Sequence, residues 1–84
     1  MQRIAQGGRN RLMAGVSAKE VQPRAQDALT ASPVVALRDL RVDSTDDALL
    51  IRGAVTSFYH KQLAQEAVRA VAEGIVVVNT VSVS

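Results

Sequence analysis

ALLIRGAVTSFYHKQLAQEAVRAVAEGIVVVNTVSVS, residues 48–84, changes its apolar period twice. From Ala48 to Thr56 the repeat is two residues, with Leu49, Ile51, Gly53 and Val55 on one face and Ala48, Leu50, Arg52 and Ala54 on the other. That is the signature of a strand with one covered face. From Phe58 to Glu73 the repeat lengthens: Leu63, Ala64, Ala67, Val68 and Val71 form a stripe at helical spacing, opposite Lys61, Gln62, Gln65, Glu66 and Arg69. Ser57 stands where an N-cap hydroxyl takes up the first free N–H groups. Gly74 stands where a helix ends on a C′ glycine. Ile75 to Val83 then reads as one strand, in which Val81 and Val83 alternate with Thr80, Ser82 and Ser84.

Upstream the signals are shorter. Val34, Ala36, Leu40 and Val42 share one parity and place a strand at about residues 37–43. The polar run Asp43-Ser44-Thr45-Asp46-Asp47 then makes a turn, so this strand and the one from Ala48 form an antiparallel hairpin. Pro23 reads as the first residue of a helix, where its missing N–H costs nothing, and the helix runs to Ala31 with Ala25, Ala28 and Leu29 on one face. Ser32-Pro33 ends it, because the residue before a proline avoids the α region. Residues 1–18, with Gly7, Gly8 and Gly15 and no sustained period, read as a flexible basic arm. The expectation is one α+β domain over residues 19–84, in the order α-β-β-α-β, with a three-stranded sheet carrying two helices on one face.

Composition limits the function classes. The chain has 84 residues, enough for a single small domain. Its apolar share of 48% is ordinary, but Phe58 and Tyr59 are the only aromatics, so branched aliphatics must fill the core. There is no cysteine, which excludes disulfides, thiolate metal sites and cysteine nucleophiles. No window reaches the roughly 18 apolar residues of a membrane span or the apolar stretch of a secretory signal. The expected setting is therefore the cytoplasm, with peripheral contact to a membrane. Charge is uneven: residues 1–24 hold five basic residues and one acid, net +4, and residues 25–84 hold five basic and seven acidic, net −2. The basic excess sits in the arm, where it is suited to phosphate or anionic lipid.

The run Ala48-Leu-Leu-Ile-Arg-Gly-Ala-Val55, the capped helix with Lys61-Gln-Leu-Ala-Gln-Glu-Ala67, then Gly74-Ile75, Val78-Asn79 and Val81-Ser-Val83, resembles the BON domain family over about residues 20–84. That family has a strand ending in an apolar residue, Gly, any residue and Val, then an alanine-bearing helix, Gly-Val, Val-Asn and a last alternating strand. Two departures stand out. The family often has a tight Asp-Gly hairpin turn, whereas residues 43–47 hold no glycine. Many members also carry a signal peptide and paired domains. The resemblance implies a module associated with phospholipid or membranes, of a kind found in osmotic-stress proteins, in secretin-like and channel proteins, and in a potassium-binding cytoplasmic protein. It carries over no catalytic residue.

The individual residues point the same way. His60, the only histidine, has no second histidine, cysteine or placed carboxylate to make a transition-metal site or a triad. Asp43, Asp46 and Asp47 lack the glycine and distant glutamate of a calcium loop, which leaves them as a hairpin turn. Gly7-Gly8-Arg9 follows no strand and precedes no Lys-Ser or Lys-Thr, so it is not a phosphate-binding loop. Nucleic acid is not expected as a partner, since the two aromatics are adjacent and not spaced along a sheet.

Phe58 and Tyr59 allow two readings. Either both cap the edge of the core, or one staples the helix start while the other faces outward beside Lys61 as a contact. The expectation is a non-catalytic binding module without metal or cofactor, associating with a phospholipid surface through Arg3, Arg9, Arg11, Phe58, Tyr59 and Lys61. Gly53, Ser57, Gly74 and Asn79 serve structure. One alternative is a protein-interaction or self-assembly module using Leu50, Arg52 and the edge at Val76 and Val77. Another is small-ion binding of the potassium type.

Overall fold

A computed structural model describes residues 16–84. Its first helix, α1, spans Ala18–Thr30. Ser17 caps it: the Ser17 hydroxyl accepts from Glu20 N–H at 3.2 Å, and Glu20 Oε1 accepts from Ser17 N–H at 3.0 Å. This reciprocal capping box satisfies two groups at the helix start. The helix thus begins well before Pro23 and takes in Ser17 and Ala18, which the sequence reading assigned to the arm. Pro23 lies inside it, on the exposed side, as does Lys19. The Lys19 carbonyl therefore loses its helical donor at the solvent side, and the capping box together with the burial of Val21, Ala25 and Leu29 holds the helix across the proline. The helix does end at Ser32-Pro33, as expected.

A short 3₁₀ turn at Val35–Leu37 follows, and only Arg41–Ser44 forms β1. The strand expected at 37–43 is corrected here. Leu37 and Leu40 are both buried, three residues apart, and N–H groups 37, 38 and 40 each bond the carbonyl three residues back. The buried positions follow the period of a 3₁₀ turn, and the apparent two-residue parity of Val34 and Ala36 is incidental. β1 pairs antiparallel with β2, Ala48–Arg52, with Val42 opposite Ile51. Thr45 closes the hairpin, its N–H donating to the Ala48 carbonyl at 2.8 Å and its hydroxyl accepting from Ala48 N–H at 3.1 Å. Asp43 is therefore a strand residue. It forms an ion pair with Arg52 at 2.5 Å on the outer face.

β2 breaks at Gly53 and resumes as β3, Ala54–Val55. The chain then crosses over through α2, Phe58–Arg69, and returns as β4, Val76–Asn79, and β5, Ser82–Val83. β4 runs parallel to β2, and β5 runs parallel to β3. The expected single last strand is thus two pieces, but the ladder keeps step: N–H groups 80, 82 and 84 donate to carbonyls 51, 53 and 55 at 3.0, 2.9 and 3.0 Å. The three-stranded sheet has the order β1-β2-β4. Its inner face carries the buried Val42, Leu49 and Ile51, and both helices pack there; among the described residues nothing covers its outer face. The architecture is the expected α+β arrangement in the order α-β-β-α-β.

The core is aliphatic. α1 contributes Ala18, Val21, Ala25 and Leu29, and α2 contributes Ala64 and Val68, followed by Ala72. Small alanines on both helices let them approach closely. α2 is shorter than the expected 58–73: it ends at Arg69 and tightens into turns that bond three residues back. Gly74 is therefore not its C′ residue. With Glu73 (φ 53°) it forms a left-handed corner into β4, at φ 85°.

Gly53 shares its parity with Leu49, Ile51 and Val55, which predicts it on the covered face, and the structure corrects this. Gly53 is exposed, with φ 134°, and a Cβ built on it would lie 2.6 Å from Leu40 Cδ2. Backbone conformation and the Leu40 side chain, not α2, demand glycine. Gly53→Ala and Gly53→Val are each expected to lose about 1–3 kcal/mol of stability in denaturant titration. A Leu40→Ala background should relieve only part of the loss, because the strain at φ remains; full relief would assign the constraint to Leu40 alone.

α1 also seals the β1 edge. Val42 N–H donates to Gln26 Oε1 at 2.8 Å, Gln26 Nε2 donates to the Leu40 carbonyl at 2.9 Å, and Gln22 Nε2 donates to the Val42 carbonyl at 2.7 Å. Gln26→Leu leaves a half-buried N–H and carbonyl unpaired, which is expected to cost about 1–3 kcal/mol. Gln26→Glu keeps the acceptor for Val42 N–H but loses the donor to Leu40. Its loss in the same titration should be the smaller one at mildly acidic pH, where the carboxyl can donate.

Candidate functional site

The N-terminal end of α2 is the most distinctive surface. Ser57, in extended conformation (φ −149°, ψ 151°), is the N-cap, and its hydroxyl accepts from His60 N–H at 3.1 Å. Its expected role is met. Neither the reading in which Phe58 and Tyr59 both cap the core edge nor the one in which one of them is a staple holds: both side chains are exposed, Phe58 at 75% and Tyr59 at 67%. A staple pairs the residue before the N-cap with the fourth helical residue, here Thr56 and Lys61, and neither is apolar. Val55, buried one residue earlier, already plugs the core at this end. Helical phase accounts for the rest. Phe58 is one turn before Gln62 and two before Glu66, both exposed, so it heads the polar face and not the core stripe of Ala64 and Val68.

Charge at this end favours anions. The first turn of α2 holds no acid and carries His60 and Lys61. Among the described residues, the N–H groups of Phe58 and Tyr59 have no partner, so the partial positive charge of the helix start is unneutralised. His60 is half-buried; among the described residues its Nδ1 is buried without a partner, and its ring lies 5.9 Å from that of Tyr59. Among the described residues, no carboxylate orients this imidazole, and no group of three His, Cys, Asp or Glu residues comes together to hold a metal ion.

A shallow groove of about 400 Å³ begins under Phe58 and follows the outer side of α2 past Lys61, Gln65 and Arg69. Asn79 forms its floor. Asn79 Nδ2 donates to the Lys61 carbonyl at 2.8 Å and lies 3.4 Å from Gln65 Oε1, while Asn79 Oδ1 accepts from Val81 N–H at 3.2 Å. The side chain thus ties β4 to α2 and sets the step from β4 to β5. A second depression shares Gln65 and Arg69 and continues along Val76 and Val77. The two form one trough between α2 and the free side of β4.

Of the expected contact residues, the structure brings together Phe58, Tyr59 and Lys61. Arg3, Arg9 and Arg11 lie outside the described residues. Leu50 and Arg52 are on the outer sheet face, in one surface with Val76 and Val78, which are 62% and 41% exposed. Sequence reasoning missed Gln22, Gln26 and Gln65. The available signal was polar residues flanking the stripe of Val21, Ala25 and Leu29, at a spacing of one turn. No helix among the described residues is long and apolar enough to cross a membrane.

No protein-family model matches the chain, and no curated protein matches it. The resemblance to the BON domain accordingly stands on its motif residues alone. Of these, Asn79 is the most testable. Asn79→Ala should lower stability by about 1–3 kcal/mol. Amide exchange at Val81 should rise at the same time, because its side-chain acceptor is gone; unchanged exchange there would sink the assigned role.

Proposed function

We propose that this chain is a non-catalytic binding module that associates with an anionic phospholipid surface through the N-terminal end of α2. The observation that supports it is the joint exposure of the chain's only two aromatics, adjacent to each other and beside Lys61. A Phe or Tyr side chain offers about 150–250 Å² of contact area, and a tyrosine hydroxyl at its tip suits a surface that is apolar on one side and wet on the other. The unneutralised helix start and Lys61 face the same region, where headgroup phosphates would lie. Weak apolar and weak electrostatic contacts reinforce each other in this way when neither suffices alone. Arg3, Arg9 and Arg11 add basic charge from residues 1–15. The BON resemblance implies the same class of ligand.

Each basic residue near an anionic surface contributes about 1 kcal/mol. Three or four of them with two aromatics make binding weak and salt-sensitive, because the charge contribution is screened. The full chain is expected to co-sediment with phosphatidylserine-containing vesicles at low salt, to dissociate as salt rises, and to leave neutral phosphatidylcholine vesicles in large part unbound. Phe58→Ala and Tyr59→Ala, both at exposed positions, should keep the fold and weaken binding several-fold. Lys61→Gln should weaken it about fivefold, the equivalent of about 1 kcal/mol. A full chain that stays in the supernatant with anionic vesicles at low salt overturns the proposal.

A further inference from the structure

The two edges of the three-stranded sheet are finished differently. At the β1 edge, Gln22 and Gln26 take both the N–H and the carbonyl of Val42. Among the described residues, the β4 edge has no such cover. Thr80 N–H donates to the Ile51 carbonyl, so by alternation along the ladder Val76 and Val78 turn their backbone groups toward β2, and Val77 and Asn79 turn theirs outward. Among the described residues, nothing bonds the outward N–H and carbonyl of Val77 or the backbone N–H of Asn79. Natural sheets protect such an edge with lysine, proline, a bulge or a covering segment. β4, Val-Val-Val-Asn, has no charge and no proline, and its outer side carries the exposed Val76 and Val78.

We propose that two copies of this chain join β4 to β4, antiparallel, about a two-fold axis at Val77. The edge is self-complementary in that register. Val77 exchanges two hydrogen bonds with Val77 of the second copy, and Asn79 N–H of each copy reaches the Ile75 carbonyl of the other. The Ile75 N–H is already held by the Ala72 carbonyl at 3.0 Å, so no satisfied donor has to be released. Val76 then stands opposite Val78 of the second copy, in the closer, non-hydrogen-bonded kind of pair. On the outer face this joins Leu50 and Val78 of one copy to Val76 and Ala48 of the other in one apolar row.

The flank favours a second copy as well. Glu66 lies between Lys61 and Arg69 on the side of α2 beside this trough. A second α2, running antiparallel across the axis, brings an acid toward bases, without repulsion of a single sign. The inference goes beyond lipid association and does not depend on it.

Sedimentation equilibrium of the full chain in lipid-free buffer tests it. A concentration-dependent dimer is expected. Val76→Lys and Val78→Lys, at exposed positions that leave the core untouched, should each weaken the dimer at least about tenfold.

Register is read separately. The chain has no cysteine, so Val76→Cys and Val78→Cys variants can be oxidised alone or mixed. The opposed Cα atoms in this register lie at about 4.5 Å, within disulfide range, so the mixture should cross-link faster than either variant alone. A monomer at every concentration overturns the proposal. So does a dimer that tolerates both lysine variants, or one in which each cysteine variant cross-links with itself as fast as in the mixture.

Discussion

The parallel pairing of β2 with β4 is the constraint on which the rest depends. Ile51, fully buried at the middle of the sheet, gives its carbonyl to both the N–H and the hydroxyl of Thr80, at 3.0 and 2.6 Å. Parallel neighbours cannot be joined by a tight turn; the chain must travel back the length of the strand before it re-enters the sheet. α2 is that return path. Its start is therefore fixed at the end where β2 and β3 finish, and its outer side is fixed alongside β4. The aromatic end and the trough are consequences of the crossover, and Asn79 ties that crossover down by bonding the Lys61 carbonyl in the first turn of α2.

α1 is not required by any crossover and is held by other means. It buries Val21, Ala25 and Leu29 against the sheet and α2. Its two glutamines replace a missing neighbour strand at the β1 edge. The Arg24–Glu73 ion pair adds little, since both side chains are well exposed and such pairs contribute about 0–1 kcal/mol. The glutamines do more than the ion pair because they satisfy backbone groups that have no other partner. That difference separates a sealed edge from an open one on the same sheet.

The large features were legible in the sequence where periodicity was long. The stripe of Leu63, Ala64, Ala67 and Val68 was sufficient for α2, and Leu49 and Ile51 for the buried face of β2. Short segments misled. Leu37 and Leu40 are core residues at a three-residue spacing, which a two-residue template cannot see. Pro23 hid a helix whose start was written in Ser17 and Glu20, the capping-box spacing. At Gly53 the sequence shows that a side chain is missing, but not that φ is positive or that Leu40 fills the space. The exposure of Phe58 could have been read from its phase, one turn before Gln62. The edge clamp could not, because it depends on which strand ends up at which edge.

The two apolar surfaces left open differ in kind, and the difference bears on what each can meet. Phe58 and Tyr59 lie at a helix end beside a cation, with no strand alignment to offer; such side chains suit a surface without fixed geometry, where area and depth matter more than register. Val76 and Val78 are β-branched residues held at strand spacing beside unpaired backbone groups. They gain little from a fluid surface, which cannot supply hydrogen bonds in step, and much from another strand. In a core made without aromatics, the two rings were available for burial, and Phe58 nevertheless heads the polar face of α2. The exposed valines follow from a sheet face that no described residue covers. Each exposure has its own local cause, and this is why the lipid contact and the self-pairing edge can fail or stand separately.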